Sequence, residues 1–442
     1  MSPGRSSPSP SPSPAPVPVR VDKALELLPD LEVVAPLRAL LVSISRPDER
    51  ALWSSSGPYL TIGKRGVQPE ELTRRMPQAF HQVTEHLQVL YRAYVQALEA
   101  QQRGDGGEVV AALLRAGHAE QHVGRPLQAR SWYEAAQRAS QVLQDRRPEV
   151  ESLGALGQVS LALREYAEGA RHFQRSLALA EAEFDQGGAI AACEGLGEAA
   201  LWQGQWSGAQ AWFARGLRLA EASGERRFLG RLERQLGVLA RRQGDLAAAG
   251  EHLRKAREWL EAAATPEEMA RVLSAQGHLE AQLRRHAAAS AAYREALAWV
   301  QREPRDPGLE LSIRLSLAEL QLETGRLLEA EEEMRRAEQL AIASNLTSHL
   351  VQVYTLMGKL RGRQQDETGF VFFEQAIDLC HMLERSPAAE GQVYLEYGLF
   401  QDRLHHREEA RAYLERAREL FGTVGEMVAR ERAEEALQKL SA

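Results

Sequence analysis

A small residue returns about every forty positions through most of this chain, each time inside a stretch that reads as a helix. The column runs Gly117, Gly157, Gly197, Gly237, Gly277, Ala318, Gly358 and Gly398, and every step is 40 residues except one of 41. A second small column follows as Ala129, Gly169, Ala209, Ala249, Ala289, Ala330, Gly369 and Ala410. Four residues after each of these stands a large apolar residue: Tyr133, Phe173, Phe213, Leu253, Tyr293, Met334, Phe373 and Leu414. Columns that stay in step over such a length mark a repeat protein. Within each period, apolar residues three and four apart form two amphipathic segments, parted by breaks such as Gln203-Gly204-Gln205. Each period is therefore expected to be a helical hairpin. Glycine inside a helix costs about 0.5–1 kcal/mol relative to alanine, so the glycine column needs a packing reason. Close approach of the first helix, A, to the second, B, supplies one, with the aromatic filling the gap toward the next hairpin.

Composition agrees. Ala, Leu, Glu, Arg and Gln, all good helix formers, dominate the 442 residues, while aromatic residues make up only 6%. The expected class is all-α. The stretches "LGQVSLALREYAEGARHFQRSLALA" (156–180), "LGEAALWQGQWSGAQAWFARGLRLA" (196–220) and "LGVLARRQGDLAAAGEHLRKAREWL" (236–260) resemble the tetratricopeptide repeat, in a variant of about forty residues. The likeness rests on the "LG" of helix A, the Gly-polar-apolar turn, and the small–large–small series of helix B. It covers about residues 107–420. Departures are a mostly missing proline at the repeat end, Ala318 in place of glycine, and a slipped turn at 362–370. The resemblance implies a right-handed superhelical α-solenoid of eight stacked hairpins with helical caps, whose A helices line a concave groove that binds partner peptides.

Four regions are expected. Residues 1–19, rich in Ser and Pro, should be a disordered tether or a ligand for a proline-binding module. Residues 20–106 should form a helical cap containing one long helix at 79–104. Residues 107–423 hold the eight repeats, and 424–442 a capping helix, since a stack must cover its ends. No run of about 18 apolar residues exists, so no membrane span is expected. The start lacks a secretory h-region, and a cytoplasmic, monomeric protein is the expectation. A net charge of −7 argues against a nucleic-acid coat.

Enzyme signatures are missing: there is no phosphate loop, no HExxH and no CxxC. Cys193 and Cys380 read as buried thiols, and His405-His406 as a solvated turn, so no catalytic residue, metal or cofactor is expected. What remains is a surface. Counting from the glycine column, Glu194, Glu198, Leu201 and Trp202 should face the groove in repeat three. Arg231, Arg234, Val238, Arg241 and Arg242 should do so in repeat four, with Arg271, Ser274, His278 and Gln282 in repeat five. Glu319, Glu323, Thr355, Lys359, Arg363, Leu399 and Arg403 extend the face through repeats six to eight. This reads as an acidic–aromatic patch beside a basic stripe that Arg226 and Arg227 lengthen. Either these are solvated helix faces, or the arginines clamp acidic side chains or a carboxylate of a partner. Trp202 is either an anchor for that partner or packed on a neighbouring helix. The chaperone-tail clamp of the family needs paired Lys and Asn, and Arg234/Val238 and Ser274/His278 do not match it.

The expected function is a non-catalytic scaffold or adaptor holding a partner protein or peptide. A second reading is a peptide-responsive regulator of a bacterial signalling or transcription pathway, because residues 20–106 plus eight repeats resemble that layout.

Overall fold

A computed structural model describes residues 85–441, apart from 123–124, 262–265, 303–305, 345, 383–386 and 425. Expectations for the Ser/Pro tract, for residues 20–78 and for the start of the long helix fall outside the described residues. Every regular element described is helical: α1 (Glu85–Arg103), α2 (Gly106–His122), α3 (Pro126–Leu143), α4 (Arg146–Ala162), α5 (Tyr166–Ala182) and α6 (Gln186–Trp202) come first. Next are α7 (Trp206–Ser223), α8 (Arg226–Gln243), α9 (Leu246–Glu261), α10 (Pro266–Gln282), α11 (His286–Val300) and α12 (Pro307–Glu323). The series ends with α13 (Leu327–Ala343), α14 (Thr347–Gln364), α15 (Gly369–Met382), α16 (Pro387–Arg403), α17 (Arg407–Val424) and α18 (Met427–Ser441). No helix among the described residues is long and apolar enough to cross a membrane.

Two compact units divide the described chain: residues up to Ala119 together with Gln128–Leu153, and Glu120–Leu127 together with Gly154 onward. The first buries Tyr91 and Ala100 of α1 and Tyr133 of α3. The second is a stack in which each helix from α5 on packs against the next. Its apolar layers run from one hairpin into the following A helix, as where Leu201, Phe213, Leu229 and Leu232 share one cluster. The described fold is all-α, and its second unit is a solenoid of stacked helix-turn-helix units.

Turns repeat as regularly as helices. Gly204 and Gly244 end their A helices at φ of 72° and 85°, the left-handed region where a Cβ is crowded. Arg164, Arg284 and His405 take the same conformation in the corresponding turns of other hairpins. In the slipped hairpin, Gln365 adopts that role at φ 54°, and Asp366 then accepts the Thr368 amide at 2.9 Å before α15 starts late.

The glycine column has a sharper purpose than backbone approach alone. A Cβ built on Gly157 would lie 2.6 Å from the Phe173 ring, one on Gly277 2.5 Å from Tyr293, and one on Gly358 2.5 Å from Phe373. Gly197 meets Phe213 in the same way. The large residue of helix B therefore sits in the space left by its own hairpin's missing side chain, a role that the expected gap toward the next hairpin did not include. Phe173 does both, because its ring also presses on Gly195 of the following A helix. Where the column reads Ala318, the residue opposite is Met334, and both are fully buried. A flexible thioether bends around a methyl group that a rigid ring would strike.

Tyrosine in this position adds a polar demand. The Tyr133 hydroxyl lies 2.8 Å from His118 Nδ1, and the Tyr293 hydroxyl 2.8 Å from His278 Nδ1. Both histidines directly follow the column glycine, a position held by Gln158, Glu198 and Val238 where the ring is Phe173, Phe213 or the side chain is Leu253. His278, given above as a groove residue, has its ring turned edge-on to Tyr293. Its pKa falls to about 4, first through loss of solvent around the ring and then through the Arg241 guanidinium. Tyr293→Phe is expected to lose about 1 kcal/mol in a denaturant melt by stranding His278 Nδ1. An unchanged melt would mean that water serves the imidazole equally well.

Candidate functional site: the A-helix face of the second unit

Successive A helices stand side by side, so a residue's neighbours on this face lie about one repeat away in sequence. At α6, α8 and α10 they form a belt of ion pairs. Glu194, 3% exposed, accepts a 2.5 Å hydrogen bond from Arg231 Nη2, and Arg234 Nη2 lies 3.9 Å from its other oxygen. Arg231 Nε also lies 3.7 Å from Glu268, which Arg227 approaches to 3.6 Å. Arg271 sits 2.8 Å from Glu267 and 3.6 Å from Asp306, the residue that caps α12. Glu198 accepts from Gln235 and, at 3.5 Å, from Gln158. Burial, with the Glu194 charge second, pushes the Glu198 carboxyl above the usual carboxylate range. Burial pulls the Arg234 guanidinium below its ordinary value, and its Nε has no hydrogen-bond partner among the described residues.

Acidic patch and basic stripe are thus interlocked. The sequence places them side by side, whereas the structure seats Arg231 and Arg234 on Glu194, and Arg271 on Glu267. Reversing charge at Arg231 and Arg234 would break ion pairs inside the chain before it touched any partner. Leu201, counted as inward-facing, is buried at 3% in the apolar layer. Trp202 is 51% exposed, with Tyr166 stacked on one side at 6.2 Å between centroids and the Arg242 guanidinium 4.2 Å from the ring centroid. Arg241 donates to Gln282 at 3.2 Å and makes no ion pair among the described residues.

Farther along, the face deepens into a trough. A cavity of about 440 Å³ lies among α12, α14, α16 and α18, and its lining includes Ser316, Gln352, Thr355 and Gln392. Lys359 crosses its floor, with Nζ 3.2 Å from Glu319 and 3.6 Å from Glu396. Arg432 of α18 reaches Glu396 at 3.7 Å. A second cavity of about 170 Å³ shares Glu319, Lys359, Glu396 and Arg432 and continues toward Arg363 and Arg403.

Of the residues expected to face the groove, the structure gathers Glu194, Glu198, Arg231 and Arg234, with Arg271 adjoining. Arg241 and His278 form a second group, and Lys359 belongs to the trough. Sequence reading missed Gln158, Gln235, Glu268, Glu396 and Arg432. The signal was available: Glu194 and Arg231, and Glu198 and Gln235, are separated by 37 residues, and Glu319 and Lys359 by 40.

No family model matches the chain, and no curated protein does. Solved structures do. The Rap conjugation gene regulator of plasmid pLS20, in complex with the Phr* peptide, matches with a TM-score of 0.50 at 14% identity, over 80% of this chain and 97% of that one. The apo form of the quorum sensor NprR from B. thuringiensis matches with a TM-score of 0.50 at 15% identity, over 88% and 99%. At such identities the likeness is one of fold.

Proposed function

We propose that this chain is a tetratricopeptide-repeat scaffold of eight hairpins that holds an extended segment of a partner protein, or a peptide, along its A-helix face. The trough is the observation that carries this reading. It is concave and lined by side chains from four helices, with amide and hydroxyl groups beside charged pairs. This is how a surface looks when it must hydrogen-bond a backbone and still discriminate side chains. Repeats 107–423 are its body, residues 20–106 and 424–442 its caps, and it works as a monomer in the cytoplasm without cofactor or nucleic acid. Arg242, over the Trp202 ring, and Arg241, bonded to Gln282, extend the binding face toward the belt. Glu194, Glu198, Arg231, Arg234 and Arg271 shape that face as a pre-formed ledge.

A peptide-responsive regulator is the second reading. It is favoured by the two structural neighbours, one a gene regulator seen with a peptide and the other a quorum sensor. On this reading residues 20–106 would be the output region.

A photo-crosslinking residue placed at Gln352, within the trough, is expected to yield adducts from native lysate. The same residue at Arg335, whose side chain on helix B is 60% exposed, should yield none. Adducts from Arg335 alone would move binding to the opposite face and end the proposal.

A further inference from the structure

Arg363 and Arg403 occupy equivalent positions in the last turns of α14 and α16, and both line the smaller cavity. Neither makes an ion pair among the described residues, in contrast to Arg227, Arg231, Arg234 and Arg271 on the same face. Last-turn cations gain from the helix dipole, which explains one such residue at a time. It does not explain two guanidinium groups turned toward one cavity, where they repel. The Arg403 guanidinium is held below its ordinary value by partial loss of solvent and by Arg363, with Glu396 and Asp402 acting the other way.

Other charges at the cavity limit what can balance them. Lys359 and Arg432 are answered by Glu319 and Glu396, and Glu323 also lines the space. The lining therefore carries four cations and three carboxylates, an excess of one positive charge. One monoanion neutralises that excess. A phosphoryl group, carrying about −1.5 to −2, would overshoot it and face three carboxylates. Leu322 and Leu399 complete the lining and offer apolar contact next to the charge. Arg363 and Arg403 are exposed at the mouth, and the cavity is continuous with the larger one. A segment lying in the trough can pass on beyond them, which suits a side chain better than a chain end.

We propose that Arg363 and Arg403 bind one carboxylate, carried by an aspartate or glutamate side chain of an extended partner segment with an aliphatic neighbour. This rests on the trough being the binding surface and adds what it selects. Planar guanidinium forks on adjacent helices can each give a carboxylate oxygen two donors.

Random nonapeptides displayed within a phage coat protein would be selected on the full chain, and the best one synthesised with blocked ends. Enrichment of Asp or Glu next to Leu, Ile or Val is expected. Changing that acid to its amide in the peptide should weaken binding roughly tenfold or more, as should Arg363→Gln with Arg403→Gln in the protein. Combining the two changes should add little, since both remove one interaction. The peptide change leaves the protein intact, so it decides the matter even if the arginine variant folds poorly. A consensus without acid, additive losses, or tighter binding of phosphoserine in the acid's place would each overturn the proposal. Acid-free peptides that crosslink at Gln352 would overturn it and leave the trough reading standing, whereas no enriched peptide at all would sink both.

Discussion

Replacing Gly197 with alanine is expected to destabilise the fold by about 1–3 kcal/mol, and adding Phe213→Met to recover most of the loss. A Cβ at Gly197 falls within the Phe213 ring's own volume. That ring is fully buried in the layer with Leu201 and Leu232, so it can move only by displacing neighbours. Repeat six shows the tolerated alternative, because Ala318 and Met334 occupy the same two columns, 16 residues apart as Gly197 and Phe213 are. Phe213→Met alone leaves Gly197 facing a partly emptied socket and should also lose stability. Chemical denaturation of the three variants closes a double-mutant cycle with a favourable coupling. Losses that merely add would show that the two columns do not face each other.

Neutralising Glu194 should cost about 2–3 kcal/mol, measured as Glu194→Gln by urea unfolding. The Glu194 side chain is 4% exposed and faces Arg231 and Arg234, whose side chains are 27% and 17% exposed. Removing one partner of a buried ion pair leaves charge without compensation, worth about 3–5 kcal/mol in a dry interior. Solvent reaching the two arginines reduces that figure here. Arg254→Ala, which breaks surface contacts to Glu251 and Glu258, should change nothing measurable. A loss at Glu194 no larger than at Arg254 would mean that water, not the carboxylate, carries the belt's arginines.

What could be read from the sequence follows what repeats. Steric columns recur because each hairpin solves the same crossing, so Gly157, Gly197 and Gly277 announced the helix pairs without a structure. Direction was harder. That Phe213 fills its own hairpin's socket follows from how the two helices face, and an apolar column looks the same either way. Charge pairing was missed for another reason. Glu194 and Arg231 belong to different repeats, and their contact appears only when the chain is written in rows of forty and read diagonally. Cations that pair with no carboxylate among the described residues, in contrast, were legible as residue types at Arg363 and Arg403 but not as unpaired ones, because that depends on every carboxylate that could have reached them.

Phe173 has a consequence for how the stack comes apart. Its ring lies against Gly157 behind it and Gly195 ahead, so two consecutive hairpins own one side chain in common. In a linear array, loosening spreads only as far as the weakest nearest-neighbour junction. A shared ring removes that junction, so these two hairpins melt and re-form as a single cooperative block, while fraying starts elsewhere along the row.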